Sequence, residues 1–206
     1  MPSIAVTNLE SFRIWRDSET LPLDWLIERL RYDQPETELM KASKALHKAF
    51  ELAEEMEVAT LAAGDFRFDF NCDCELIIPD SREFKVSKDY LGVDVRGRVD
   101  GRIGDALTDY KVTERFDGDS CEHLMQSYQW RLYCDMTGAK TFIYQILVVS
   151  DFGPPNCYSV RETHTLKTYA YPELHEDCER LVEDYKATIL GHPASALLVN
   201  EERKAA

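Results

Sequence analysis

The sequence predicts an α/β domain with a mixed central β-sheet flanked by α-helices. Three observations carry that prediction. The hydrophobic period is helical up to about residue 63, changes to two from Asp65, and returns to helical spacing near Ser120. Helix-like and strand-like runs are interspersed along the chain. At 206 residues and 44% hydrophobic content, the chain is long enough to bury one sizeable core, so residues 1–206 are read as a single domain.

The elements follow in order. "LPLDWLIERLRY" reads as a short helix and "ETELMKASKALHKAFELAEEMEVATLAA" as a long one. In the long run Leu39, Ala42, Leu46, Phe50 and Ala53 recur at three- and four-residue steps, and Gly64 closes it. "FRFDF" alternates Phe66, Phe68 and Phe70 as a strand, and "CELIIP" reads as a second, bounded by Pro79. Val93 to Val99 and Ala106 to Thr113 form a pair of strands joined by a turn around Asp100, Gly101 and Gly104. "SCEHLMQSYQWRLYCDMTG" has one helical period, with Asp119 or Ser120 as N-cap and Gly138 as the stop. "KTFIYQILVVSD" is apolar enough for a buried strand. "CYSVRETHTLKTYAY" is a further strand, and "PELHEDCERLVEDYKATILG" is a helix opened by Pro172, so residues 157–191 form a C-terminal strand and helix. The end, "NEERKAA", reads as a frayed tail.

Composition narrows the function. A formal charge of −14 argues against a general nucleic-acid binder, whose footprint is normally basic. The acids are unevenly placed, however. Ser81 to Arg115 carries eight bases against seven acids, so any phosphate contact is expected to be local. The six cysteines form no CxxC pair and no closely spaced cluster, which predicts reduced thiols and no iron–sulfur cluster. No stretch approaches a membrane span, and the N-terminus lacks a basic start followed by an apolar run. A soluble, cytoplasmic protein without membrane partners is the expectation.

The tripeptide Asp-Tyr-Lys occurs twice, at Asp109–Lys111 and at Asp184–Lys186. Residues i and i+2 share a face on a strand and diverge by roughly 200° on a helix. Asp184 and Lys186 therefore read as surface charges on a helix whose Leu181, Val182, Tyr185 and Ile189 face the core. Asp109 and Lys111 project from one face of a strand, about 6.5–7 Å apart by strand rise. On the preceding strand Asp94, Arg96, Arg98 and Asp100 alternate with Val93, Val95, Gly97 and Val99. A hairpin between these strands can bring Asp100 and Asp109 together beside Lys111. Two hard carboxylates plus an ammonium suit a magnesium-type site and phosphodiester hydrolysis. Arg96, Arg98, Arg102, Arg115 and Arg131 could grip phosphates or simply balance the carboxylates.

The run "GRVDGRIGDALTDYKVT", preceded by "ALHKAFE" and followed by "QWRLY", resembles the RecB-like branch of the PD-(D/E)XK nucleases, which includes phage and CRISPR-associated exonucleases. The family's metal-binding histidine on an upstream helix matches His47. Its G-x-x-D strand matches Gly97 to Asp100, its D-x-K strand Asp109 to Lys111, and its Q-x-x-x-Y helix Gln129 and Tyr133. The order agrees over residues 42–133. The lead-in "KASKALH" and the residues Val112 and Thr113 after the lysine depart from the family pattern. The resemblance implies a restriction-endonuclease-like core over about residues 36–150. It also implies Mg²⁺ or Mn²⁺ held by His47, Asp100, Asp109 and the carbonyl of Tyr110, with Lys111, Gln129 and Tyr133 completing the catalytic set. DNA is the implied substrate, and a metal-dependent exonuclease the implied activity. The contrasting class is a binding or inhibitory protein that kept the fold without turnover, its acidic surface serving partner contact or DNA mimicry; a protein partner or a homo-oligomer is left open.

Overall fold

The structure, a computed structural model, describes residues 2–31, 35–52, 60–72, 76–151 and 155–191, the side chains of residues 51, 52 and 151 excepted. The chain opens with strand β1 (Ser3–Ala5) and helix α1 (Val6–Arg16), followed by α2 (Leu23–Leu30) and α3 (Glu38–Leu52). Strands β2 (Thr60–Ala63), β3 (Phe66–Phe70), β4 (Ser81–Tyr90), β5 (Val93–Ile103) and β6 (Ala106–Thr113) come next. Helices α4 (Gly118–Gln126) and α5 (Tyr128–Thr137) lead to β7 (Thr141–Asp151) and β8 (Cys157–Tyr169). Helix α6 (Leu174–Tyr185) continues into a π-helical turn, Lys186–Leu190.

The strands form one mixed sheet in the order β1-β5-β6-β7-β8-β3-β2, with β4 also paired to β5. β1/β5, β6/β7 and β3/β8 are parallel, and the remaining pairs are antiparallel. The expected mixed sheet with flanking helices is therefore what the chain forms.

Each face of the sheet carries its own apolar core. On one face Leu9 and Phe12 of α1, Leu26 of α2, Trp130 and Leu132 of α5, and Leu181 and Val182 of α6 pack on Val93, Val95, Leu107 and Phe142. On the other, Ala42, Leu46 and Phe50 of α3 cover Phe68, Tyr110, Leu147 and Val160. Burying the apolar stripe of each helix on a sheet face is what holds these layers together, at about 25 cal/mol per Å² of apolar surface.

Several expected boundaries are corrected. The long helix expected through residue 63 is α3 only, because Thr60–Ala63 pairs with Phe66–Asp69 as a hairpin around Gly64, whose φ of 59° suits that turn. Ala53 lies outside the described residues, as do Cys74 and the C-terminal tail. Of "CELIIP", residues 76–79 form no strand. There the N–H of Ile77 donates to Gln145 Oε1 (2.8 Å) and its carbonyl accepts from Tyr110 Oη (2.6 Å), so side chains replace a ladder.

The helix expected from Ser120 to Gly138 is two. Ser127 leaves the helical region (φ −58°, ψ 137°) and caps α5, while Asp117 rather than Asp119 or Ser120 caps α4. Gly138 ends α5 in the left-handed conformation, as expected. β5 runs on through Asp100 to Ile103, and the turn is confined to Gly104 and Asp105. β1, α1 and β4 were not anticipated. The second Asp-Tyr-Lys is helical: Asp184 pairs with Arg16 at 2.7 Å, and Lys186 bonds the carbonyl of Leu91.

A half-buried carboxylate ties three elements together. Asp135 of α5 accepts from Tyr90 Oη (2.5 Å) and Lys88 Nζ (2.9 Å) of β4, and lies 3.0 Å from His175 Nδ1 of α6. Burial alone would raise its pKa, but the bonds from Tyr90, His175 and Lys88 outweigh that and hold it below the ordinary carboxylate value. A depressed folded pKa contributes stability that is complete above the unfolded value, about 3.9, and is lost as pH falls through the folded value. Urea unfolding of Asp135→Asn below pH 4 is expected to show a shallower acid loss than the wild type. Asp135→Ala is expected to cost about 2 kcal/mol at neutral pH, because its donors lose a charged acceptor.

Candidate active site

β5 has two edges. β4 occupies one along Val93 to Arg102, except that the ladder skips the pair Glu83–Asp100, where Glu83 takes a φ of 42°. The other edge is shared: β1 pairs with Asp94–Arg96, and β6 pairs only with Gly101–Ile103. Among the described residues, 97–100 have no strand partner on that edge, and β5 and β6 part beyond the Gly101–Thr108 pair. Gly101 allows the close approach just before the parting, since a Cβ there would lie 2.6 Å from Thr108 Oγ1 and 2.3 Å from the ring of Pro79.

Tyr110 of β6 faces the resulting gap with both backbone polar groups. Its N–H donates to Asp100 Oδ2 at 3.2 Å, and its carbonyl lies 2.9 Å from His47 Nε2. His47 Nδ1 stands 3.2 Å from Asp100 Oδ2. The Tyr110 ring stacks on Phe50 of α3 at 4.3 Å, and that packing helps hold α3 and its histidine over the gap.

On the opposite face of β6, Asp109 Oδ2 is 2.7 Å from Lys111 Nζ in an ion pair. Gln129 binds both partners: its Nε2 donates to Asp109 Oδ1 (2.9 Å) and its Oε1 accepts from Lys111 Nζ (3.0 Å). Gln129 sits in the first turn of α5, whose N-terminus is fixed twice. Glu10 of α1 accepts from Tyr128 N–H (2.7 Å), and Ser127 Oγ accepts from Gln129 N–H (3.1 Å). One turn on, Tyr133 Oη donates to the Arg98 carbonyl in the unpaired stretch of β5 (2.9 Å). Its ring lies against Gly97, where a Cβ would come within 2.4 Å of it.

All seven residues singled out in the sequence, His47, Asp100, Asp109, Tyr110, Lys111, Gln129 and Tyr133, thus line one cleft of about 450 Å³. Its depth is graded. The Asp109 side chain is 5% exposed, Asp100 17%, His47 24% and Lys111 33%. Sequence reasoning missed the far walls, formed by Ala5, Val6 and Thr7 at the start of α1 and by Ser43 of α3. The helical spacing of Val6, Leu9 and Phe12 is the signal that could have marked α1.

The two carboxylates are driven apart in acidity. Burial raises Asp109, and although Lys111 opposes it, the nearby charge of Asp100 adds to the rise, so its pKa stands above the ordinary value. Asp100 also suffers burial, yet the hydrogen bond and charge of His47 and the N–H of Tyr110 hold it below. For His47, burial would lower the pKa, but Asp100 and then Asp109 outweigh it and hold it above 6.5. A ring whose two nitrogens face a carboxylate and a carbonyl needs both protons to bond both.

The donor chemistry fits a hard divalent cation: one imidazole, two carboxylates and one backbone carbonyl share the cleft. Among the described residues, no three histidine, cysteine or acidic side chains already stand grouped as a metal site. His47 is bonded to Asp100 and Tyr110, and Asp109 to Lys111. Ligation requires the His47 proton at the gap to leave.

No protein-family model matches the chain, and no curated protein matches it. Its fold is similar to that of SSO0001, with a TM-score of 0.51 and 15% identity over 89% of this chain and 74% of that one. A protein from Eubacterium rectale that carries the provisional name of exonuclease aligns at a TM-score of 0.49 and 12% identity, over 91% of this chain and 80% of that one. The likeness bears on the fold: a mixed α/β architecture compatible with a restriction-endonuclease-like core. Among the described residues, no helix is long and apolar enough to cross a membrane.

Two outcomes are expected. In an NMR pH titration, the His47 pKa is expected to lie above the ordinary histidine value in the wild type and to drop in Asp100→Asn, since burial then acts with less opposition. Gly97→Ala should cost about 1–3 kcal/mol in urea unfolding, because the new methyl group meets the Tyr133 ring.

Proposed function

We propose that the protein is a metal-dependent DNA nuclease of the RecB-like PD-(D/E)XK kind, acting as an exonuclease. The observation that carries the reading is the convergence of His47, Asp100, Asp109, Lys111, Gln129 and Tyr133, drawn from α3, β5, β6 and α5, on a single cleft. Adjacent carboxylates alone would be weaker support. The order helix, strand, strand, helix and the mutual bonds of Gln129 with the Asp109–Lys111 pair are what a chance charge pair lacks.

In this reading His47, Asp100, Asp109 and the Tyr110 carbonyl hold Mg²⁺ or Mn²⁺. The bound ion supplies Lewis acidity to the phosphate and lowers the pKa of water to make a nucleophile near neutral pH. The remaining work belongs to the chain. Lys111, the most exposed of the four graded side chains, presents its ammonium to the cleft, where it can orient water or offset charge developing on the phosphate. Gln129 bonds both Lys111 and Asp109 and so holds the pair in place as charge develops. Tyr133 pins the unpaired stretch of β5 beside Asp100. DNA recombination, repair or phage DNA processing is the setting that suits such an enzyme.

A second reading, an inactive member of the fold that binds a protein partner, is favoured by the net charge of −14. Digestion of 5′- and 3′-labelled single- and double-stranded DNA with Mg²⁺, Mn²⁺ or EDTA separates the two. Metal-dependent release of nucleotides from one end is expected, abolished in Asp109→Ala and unchanged in Asp184→Ala. Lys111→Ala should lower the rate about 10²–10³-fold. No cleavage with either metal, together with no Mn²⁺-dependent rise in melting temperature, would favour the binding protein.

A further inference from the structure

The catalytic cleft continues into a second, wider opening of about 660 Å³ lined by Ser43, Lys44, His47, Lys48, Glu83 and Arg98. Ser43, His47 and Arg98 belong to both openings, so the two are contiguous. Their walls are basic on both sides. Lys44 and Lys48 lie one helical turn apart on α3, on either side of His47 in sequence. Arg96 and Arg98 lie two apart on β5 and so share its outward face, both mostly exposed. Four cations along one groove are a marked local departure for a chain of charge −14.

The other arginines of interest are placed differently. Arg131 lies over the rings of Tyr128 and Trp130, Arg102 donates to the Gly104 carbonyl, and Arg115 pairs with Asp117 at the start of α4. None of them lines either opening. Cation position, not cation number, marks the groove.

Resting on the nuclease reading, we infer that Lys44, Lys48, Arg96 and Arg98 form the track that grips the sugar–phosphate backbone of the substrate strand and leads it to His47 and Asp100. Within the groove Glu83 pairs with Arg98 at 3.1 Å and holds it beside the cleft. A phosphate that takes up Arg98 displaces Glu83 as its partner. Glu83 is therefore a charge that opposes binding, as are Glu36, bonded to Lys44, and Asp94, bonded to Arg96, and loss of Glu83 acts in the opposite direction to loss of a cation.

The test measures binding in EDTA, where no cleavage can intervene, across a salt series, with labelled single strands and duplexes of the same sequence. Log affinity falls linearly with log salt, by about 0.7 per phosphate neutralised on a single strand and about 0.9 on a duplex. Lys44→Ala and Arg98→Ala are each expected to flatten that slope by about one and to weaken binding several-fold. Arg98→Lys should restore the slope, Glu83→Gln should tighten binding, and Arg115→Ala should leave it unchanged. The preferred arm identifies which form of the strand the groove takes.

If the wild type binds and the Lys44 and Arg98 variants keep its slope, the track is overturned while the nuclease reading stands. Metal-dependent cleavage without measurable binding in EDTA overturns the track as well. Binding with the expected slopes but no cleavage under any metal keeps the groove and removes the nuclease. Unchanged melting temperatures of the variants confirm that lost contacts, and not lost folding, set the result.

Discussion

Where β5 and β6 part, the backbone of Tyr110 must find partners other than a strand, and the cleft is built around the ones it finds. A buried peptide group left unbonded is costly, so its N–H and carbonyl act as fixed sockets. Asp100 fills the first and His47 the second. Because β1 occupies the edge of β5 below the gap and β6 the edge above it, the sockets open onto an unpaired stretch of strand rather than onto solvent alone. Glu83 and Asp100 leave the β4 ladder at the same level. The sheet is irregular just where polar groups need room, as strained or bulged strands beside functional sites commonly are.

This arrangement sets the electrostatics. Asp100 and Asp109 sit on neighbouring strands at different depths, one against an imidazole and the other against an ammonium. Burial penalises both; at the less buried Asp100 the bonds from His47 and Tyr110 outweigh it, whereas at the deeper Asp109 the Lys111 ammonium does not. The site thereby holds two carboxylates of unlike acidity, Asp100 shifted below the ordinary value and Asp109 above it. Around it, a strongly acidic protein keeps a strip of cations on α3 and β5.

Helix α5 links the cleft to the rest of the molecule. Its first turn presents Gln129, its second presents Tyr133, and its last carries Asp135, bonded to β4 and α6. Glu10 holds the near end from α1. A helix secured at both ends places Gln129 with little freedom, which is what a residue bridging Asp109 and Lys111 needs.

Much of this was legible in the sequence, for local reasons. Strand periodicity puts Asp109 and Lys111 on one face and Tyr110 on the other. Helical periodicity puts Gln129 and Tyr133 one turn apart and sends Asp184 and Lys186 to the surface. The apolar spacing of Ala42, Leu46 and Phe50 marks the buried side of α3. What failed was also local in appearance and tertiary in cause. β4 was missed because charges interrupt its alternation: Phe84 and Val86 are only partly buried, and Tyr90 at its end is the one apolar residue of the strand that is fully buried. "LIIP" looked like a strand because its apolarity does not reveal that Gln145 and Tyr110 satisfy its backbone. Hydrogen-bond and strand periods, set by the backbone, let the sequence by itself determine the order of the motifs and the face each side chain takes. Where β5 and β6 separate, which arginines meet the cleft and which wall closes it depend on partners as much as 118 residues away, such as β1 and Glu10, so only the tertiary structure could decide them.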